Sequence, residues 1–174
     1  LHLLSRRQRQ MCIRDRFYPL AYYCAYFSIR ADAFDYEKMA MGRERLEYYL
    51  DIYKAKKADG TIEKTELDEY KDMRIVQEMY ARGYEFTPID IYKAKARSFQ
   101  IIDGKIMPSF KVVSKIGESA GESIEIAARG GKFLSKDDLR QRAKIGQTVI
   151  DKLSELKLLD GMAESNQLSL FDVL

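Results

Sequence analysis

The sequence has little of what several kinds of function depend on. It contains one histidine, His2, and two cysteines, Cys12 and Cys24. The cysteines stand at no metal-ligand spacing and form no disulfide framework, and one histidine does not complete a zinc site. A reducing, cytoplasmic setting is the plain expectation. No run approaches the roughly 18 consecutive apolar residues that a membrane helix needs. The most apolar stretch, residues 17–29, carries Tyr18, Tyr22, Tyr23 and Tyr26. The basic N-terminus is not followed by an apolar segment of about 7–15 residues and a small-residue cleavage site, so no export signal is expected. What is present supports a core: 46% of the 174 residues are apolar, enough for one domain or two small ones.

The net charge of +3 conceals an uneven distribution. Residues 1–16 hold five arginines (Arg6, Arg7, Arg9, Arg14, Arg16) against Asp15. Residues 105–157 carry a second excess, +4, and residues 158–174 are net −3. The opening string, Ser5-Arg-Arg-Gln-Arg-Gln-Met-Cys-Ile-Arg-Asp-Arg16, has neither helical nor strand periodicity. It resembles translated sequencing-adapter read-through and is set apart from the fold as an artefact; the alternative is a natural arginine-rich arm that binds nucleic acid.

Beyond it the pattern is mainly helical. Pro19 suits a first helical turn, and Leu20, Tyr23, Cys24, Phe27 and Ile29 give an apolar face. Asp35 is placed to cap a second helix that runs to about Lys57, with Met39, Leu46, Tyr49, Leu50 and Tyr53 at helical spacing. Thr65 with Asp68 resembles a capping box opening a third helix, which Gly83 ends. Residues 84–89 then alternate like a short strand. Asp103-Gly104, flanked by residues 99–102 and 105–107, is a strong hairpin signal.

The most informative feature is a repeat. Residues 115–119 read Lys-Ile-Gly-Glu-Ser and residues 144–148 read Lys-Ile-Gly-Gln-Thr, and each copy is followed by a helical pattern. This resembles a tandem helix-hairpin-helix. A glycine allows a tight turn and close approach of backbone to phosphate. The helix that follows turns its free N–H groups and positive dipole end outward, an anion site that needs no base-specific side chain. The expected phosphate donors are the amides near Gly117 and Ser119 and near Gly146 and Thr148, with charge from Lys111, Lys115, Lys144 and Lys152. Such contacts hold DNA without reading its sequence. The usual hairpin has a glycine two positions before the retained one; here Lys115 and Lys144 stand there, which predicts a looser turn. Glu118 and Glu122 oppose phosphate, so the second hairpin, with Gln147 and Thr148, is the better electrostatic candidate. The bland alternative is two helical hairpins whose glycines only turn corners.

After Gly161 and a polar spacer comes Gln167-Leu-Ser-Leu-Phe171. It resembles the bacterial clamp-binding pentapeptide. Leu168, Leu170 and Phe171 would supply apolar contacts and Gln167 a directional hydrogen bond. The alternative is an apolar tail folding back on its own domain.

Five separated segments, in order, resemble PolC-type DNA polymerase III: Phe17-Tyr-Pro-Leu-Ala-Tyr-Tyr; Tyr26-Phe-Ser-Ile-Arg-Ala-Asp-Ala-Phe-Asp35; Arg82-Gly-Tyr-Glu-Phe-Thr-Pro-Ile-Asp90; Phe133-Leu-Ser-Lys-Asp-Asp-Leu139; and Gln167-Leu-Ser-Leu-Phe-Asp172. The resemblance implies a C-terminal fragment of a replicative DNA-directed DNA polymerase. Residues 17–83 are then the helical end of a fingers region, 84–112 a small β element, 113–160 a tandem helix-hairpin-helix that binds duplex primer-template DNA, and 161–174 a tail that docks the sliding clamp. It also implies that nucleotide addition, with carboxylate-held Mg2+, and a 3′–5′ exonuclease belong upstream. The fragment alone is expected to be inactive, with no catalytic residue, metal ligand or cofactor of its own. The runner-up is a free-standing helix-hairpin-helix DNA-binding accessory protein; a helical adaptor and the sister replicative polymerase are more distant alternatives.

Overall fold

The computed structural model describes residues 18–165. The arginine-rich string and the pentapeptide at residues 167–171 lie outside the described residues. The order is α1 (Pro19–Ile29), a 3-10 turn (Ala31–Ala33), α2 (Tyr36–Met39), α3 (Arg43–Ala58), α4 (Lys64–Ala81), β1 (Gln100–Ile102), β2 (Lys105–Met107), a 3-10 turn (Phe110–Val112), α5 (Glu118–Arg129), α6 (Lys136–Ala143) and α7 (Gln147–Glu155). The architecture is mainly α with one small antiparallel sheet, as the sequence predicts. No helix among the described residues is long and apolar enough to cross a membrane.

Pro19 opens α1, where its missing N–H costs nothing. Tyr23 and Phe27 are buried, but Ile29 is 82% exposed. Two residues past Phe27 on a 3.6-residue period, Ile29 falls on the far side of the helix, so its assignment to the core face is corrected. The single helix expected from Asp35 to Lys57 is two. Asp35 caps α2 by accepting from the N–H groups of Glu37 (2.9 Å) and Lys38 (3.1 Å). The chain then turns at Gly42, whose φ of 110° is open to glycine, before α3 begins. Met39, Leu46, Leu50 and Tyr53 are nevertheless all buried, so the apolar rhythm continues across a break in the backbone.

α4 is capped two residues earlier than expected. The Glu63 N–H donates to Glu66 Oε2 at 3.1 Å, and the Thr65/Asp68 pair falls inside the helix. α3 and α4 pack on each other. The fully buried Asp72 of α4 is tied to α1 by the Tyr26 hydroxyl (2.9 Å) and to Arg30 Nε (3.3 Å).

Asp103 and Gly104 have φ of 50° and 76°, the two positive values that a tight hairpin of this twist requires. They set the register Gln100↔Met107 and Ile102↔Lys105. The strand expected at residues 84–89 is reduced to one parallel bridge, Phe86 with Ile106. Pro88 has no N–H with which to extend it. The following segment has neither helix nor strand until β1, yet it buries Ile89, Ile91, Ala94 and Phe99. One continuous set of buried side chains runs from Tyr23 through Phe86, Ile106 and Phe110 to Leu153 and Leu159. The helical N-terminal part, the hairpin and the C-terminal helices therefore share a core.

Candidate nucleic-acid interface

The two Lys-Ile-Gly triplets adopt the same geometry. Lys115 and Lys144 are left-handed, at φ 66° and 51°. Ile116 and Ile145 plug into the core at 3% and 8% exposure. Gly117 and Gly146 are extended N-caps (φ −68°, ψ 161° and φ −74°, ψ 160°) and lie exposed. The lysines thus take the backbone state that the usual glycine would take, and the turn keeps its shape without it. After α6 the closure is complete: the Ile145 N–H donates to Arg140 O (3.2 Å) and the Lys144 N–H to Gln141 O (3.4 Å). In the first copy a 3-10 turn, Phe110–Val112, stands where a leading helix would be.

Gly117 and Gly146 differ from glycines that a fold needs for itself. Their φ is one that any residue adopts, and a Cβ on either would meet nothing within 4 Å. Neither can cap its helix with a side chain, so the amides of Glu118 and Ser119 and of Gln147 and Thr148 open α5 and α7 with no intrahelical acceptor. α6 provides the contrast. Its N-cap Ser135 accepts from the Asp138 N–H (3.1 Å), and the amides of Lys136 and Asp137 donate to Ala163 O (2.8 Å) and Glu164 O (3.2 Å). The helix without a Lys-Ile-Gly turn thus has its amides occupied within the fold.

Ser119 and Thr148 are exposed on these two opening turns. Lys115 and Lys144 are exposed and form no ion pair among the described residues. Gln147 is partly engaged, donating to Asp151 Oδ1 (2.9 Å) and accepting from Arg140 (3.2 Å). Lys111 is turned to Asp32 at 2.9 Å. Lys152 does not sit on this surface. It is 5% exposed, with Nζ 2.6 Å from Glu37 Oε1 and 3.2 Å from Glu155 Oε2. An ammonium so buried requires a carboxylate partner, and this placement corrects its assignment as a phosphate contact.

The acidic pair at the first hairpin is compensated. Arg97 Nε lies 2.7 Å from Glu118 Oε1, and its Nη2 lies 2.7 Å from Glu122 Oε1. Arg97 itself keeps 65% side-chain exposure. Sequence reasoning missed Arg97 because it comes from the irregular segment before β1, with no repeat to mark it. Arg142 was missed as well. Its guanidinium donates to Ala127 O (2.7 Å), Gly131 O (3.2 Å) and Lys132 O (3.1 Å) and lies 4.6 Å from the Phe133 ring centroid. It fastens the end of α5 to α6. A Cβ at Gly130 would stand 2.9 Å from this group.

A family model described as a helix-hairpin-helix motif matches residues 83–168, a span that contains both triplets. The chain is also similar to proteins named DNA polymerase III PolC-type. It is 38% identical over 157 residues to the one from Streptococcus pneumoniae serotype 2, 40% over 155 residues to that of Streptococcus suis, and 39% over 155 residues to that of Streptococcus pyogenes serotype M2. These matches take in 89–90% of this chain and 11% of the length of each relative. The resemblance carried by five separated segments thus extends along nine-tenths of the chain.

Proposed function

We propose that this chain, similar along nine-tenths of its length to PolC-type DNA polymerases III, is a C-terminal piece of such a replicative polymerase that grips duplex primer-template DNA and docks a sliding clamp. The observation that carries the DNA reading is the matched pair of turns. Two glycines with no internal reason to be glycine precede two helices whose first amides are open, while the intervening helix is internally capped. A phosphate oxygen suits each position: it accepts from backbone N–H groups, gains from the helix dipole and needs room where a side chain would stand. Lys115 and Lys144 flank the two sites, and Arg97 offsets Glu118 and Glu122 at the first. Gln167, Leu168, Leu170 and Phe171 are proposed to engage the clamp, with tethering to DNA raising the effective concentration of the tail. Nucleotide addition and its magnesium are assigned to a palm upstream, and no catalytic role is given to any residue here.

The test is fluorescence anisotropy of the full chain with a labelled DNA duplex across a salt series. Affinity is expected to fall steeply with salt and to weaken in Gly146→Glu, whose new side chain has room in the fold but meets phosphate with like charge. Binding that ignores salt, or none at low salt, would overturn the DNA reading. Clamp binding is expected to vanish in the Leu170→Ala/Phe171→Ala double variant; unchanged affinity there would remove the tail assignment.

A further inference from the structure

The two triplets open different helices, and something must hold them in one frame if both are to meet the same DNA backbone. α5 packs on α6, and α6 in turn meets α7. A second link comes from outside this group of helices. Glu37 of α2 accepts at Oε1 from Ser114 Oγ (2.9 Å), the residue just before Lys115, and its Oε1 also lies 2.6 Å from Lys152 Nζ on α7. Its other oxygen lies 4.0 Å from Arg45 on α3. One carboxylate oxygen thus touches the approach to the first turn and the helix opened by the second.

Glu37 is itself well anchored. Its N–H donates to the capping Asp35 side chain. The neighbouring Lys38 is held by Glu69 (2.7 Å) and the Tyr53 hydroxyl (3.1 Å), which fixes α2 against α3 and α4. Lys152, at 5% exposure, has no route to a ligand, so its charge acts inward on Glu37 and Glu155.

We infer that Glu37 is a positioning residue: it sets the spacing of the two Lys-Ile-Gly turns so that both engage one duplex together. This rests on the DNA reading above. Two weak phosphate sites in a fixed relation bind as a bivalent unit, and loosening the relation loses the gain from simultaneous engagement without touching either site.

The test uses the full chain and a labelled DNA duplex, comparing wild type with Glu37→Gln and with Ser114→Ala. Ser114→Ala removes one exposed hydroxyl and leaves the Glu37–Lys152 pair in place, so it guards against a folding failure. Each is combined with Gly117→Glu and Gly146→Glu. In the wild-type background the two glycine substitutions should be non-additive, since disabling either turn already forfeits bivalency. In Glu37→Gln, affinity should fall about ten-fold, the salt slope should drop by roughly 1–2, and the non-additivity should vanish. Ser114→Ala should move all three in the same direction by less. A purely structural Glu37 would lower the melting temperature and leave slope and non-additivity intact in the folded protein, and that result overturns the inference. If wild type binds no DNA, or if neither glycine substitution weakens it, the DNA reading itself has failed.

Discussion

Glu37 Oε1 and Lys152 Nζ lie 2.6 Å apart and join the one-turn helix α2 to α7 near the other end of the chain. Burial alone would push the Glu37 carboxyl up. Hydrogen bonds from Lys152 and Ser114, with the charges of Lys152 and Arg45, outweigh it and hold the group below its ordinary value. Lys152 is correspondingly pushed up: burial opposes its charge, but Glu37 and Glu155 overcome that. Lys152→Ala should therefore destabilise the fold by about 2–3 kcal/mol, somewhat less than a broken fully buried pair because Glu37 keeps 24% exposure. A thermal melt followed by circular dichroism should show a midpoint roughly 5–10 °C lower. An unchanged midpoint would mean that the ammonium reaches solvent.

The pH dependence should have two opposed components. Desolvation pushes the fully buried Asp72 carboxyl up, only partly offset by Tyr26 and Arg30. Relative to the unfolded chain, the fold therefore holds the Asp72 proton more tightly, and that contribution is lost as pH rises through the folded value. Glu125, held down chiefly by the Ala96 N–H, and Glu37 behave oppositely: their contributions are present above the ordinary carboxylate range and lost as pH falls through their folded values. Urea titrations across pH should show Asp72→Asn losing the gain on mild acidification while keeping the collapse at lower pH. A wild-type-like profile for that variant would place the mild-acid gain elsewhere.

Arg142 should resist conservative replacement. Its guanidinium meets three carbonyls, of Ala127, Gly131 and Lys132, while lying over Phe133. A lysine ammonium cannot reproduce that planar fork. Arg142→Lys is expected to lose nearly as much stability as Arg142→Ala, on the order of 2 kcal/mol, because neither replacement can bridge the three carbonyls at once and so hold the end of α5 to α6. Equilibrium denaturation of the two variants checks this; full rescue by lysine would show that charge, not geometry, is what matters.

What was legible in the sequence shares a local cause. Asp103-Gly104 predicts its hairpin because the turn needs two positive φ values. The Lys-Ile-Gly repeat predicts two helix starts because a buried isoleucine and an exposed glycine recur in fixed order. What was not legible depends on distant partners or on backbone state. The break at Gly42 is hidden because the apolar spacing of Met39, Leu46 and Leu50 runs straight through it. Lys152 stands at a position that suits either solvent or core, and only Glu37, far off in the chain, decides between them. Arg97 becomes part of the candidate interface only once the segment before β1 is laid beside α5.

Lys144 allows stability and binding to be separated by sign. It holds φ 51° and ψ 41°, a left-handed state that strains a side chain bearing a Cβ. Lys157 closes α7 in the same state, but Leu159 stands two residues on where each triplet has its glycine, and no helix follows it among the described residues. Lys144→Gly should relieve the strain and stabilise the fold by up to about 1 kcal/mol. The same change removes an exposed cation beside the open amides of α7, so duplex affinity should fall and the salt slope should shrink by roughly 1. Denaturant titration and salt-dependent anisotropy on one variant should therefore move in opposite directions. If both fall, the lysine side chain supports the folded turn; if affinity and slope hold, Lys144 does not face the DNA backbone and the second turn meets phosphate through its amides alone.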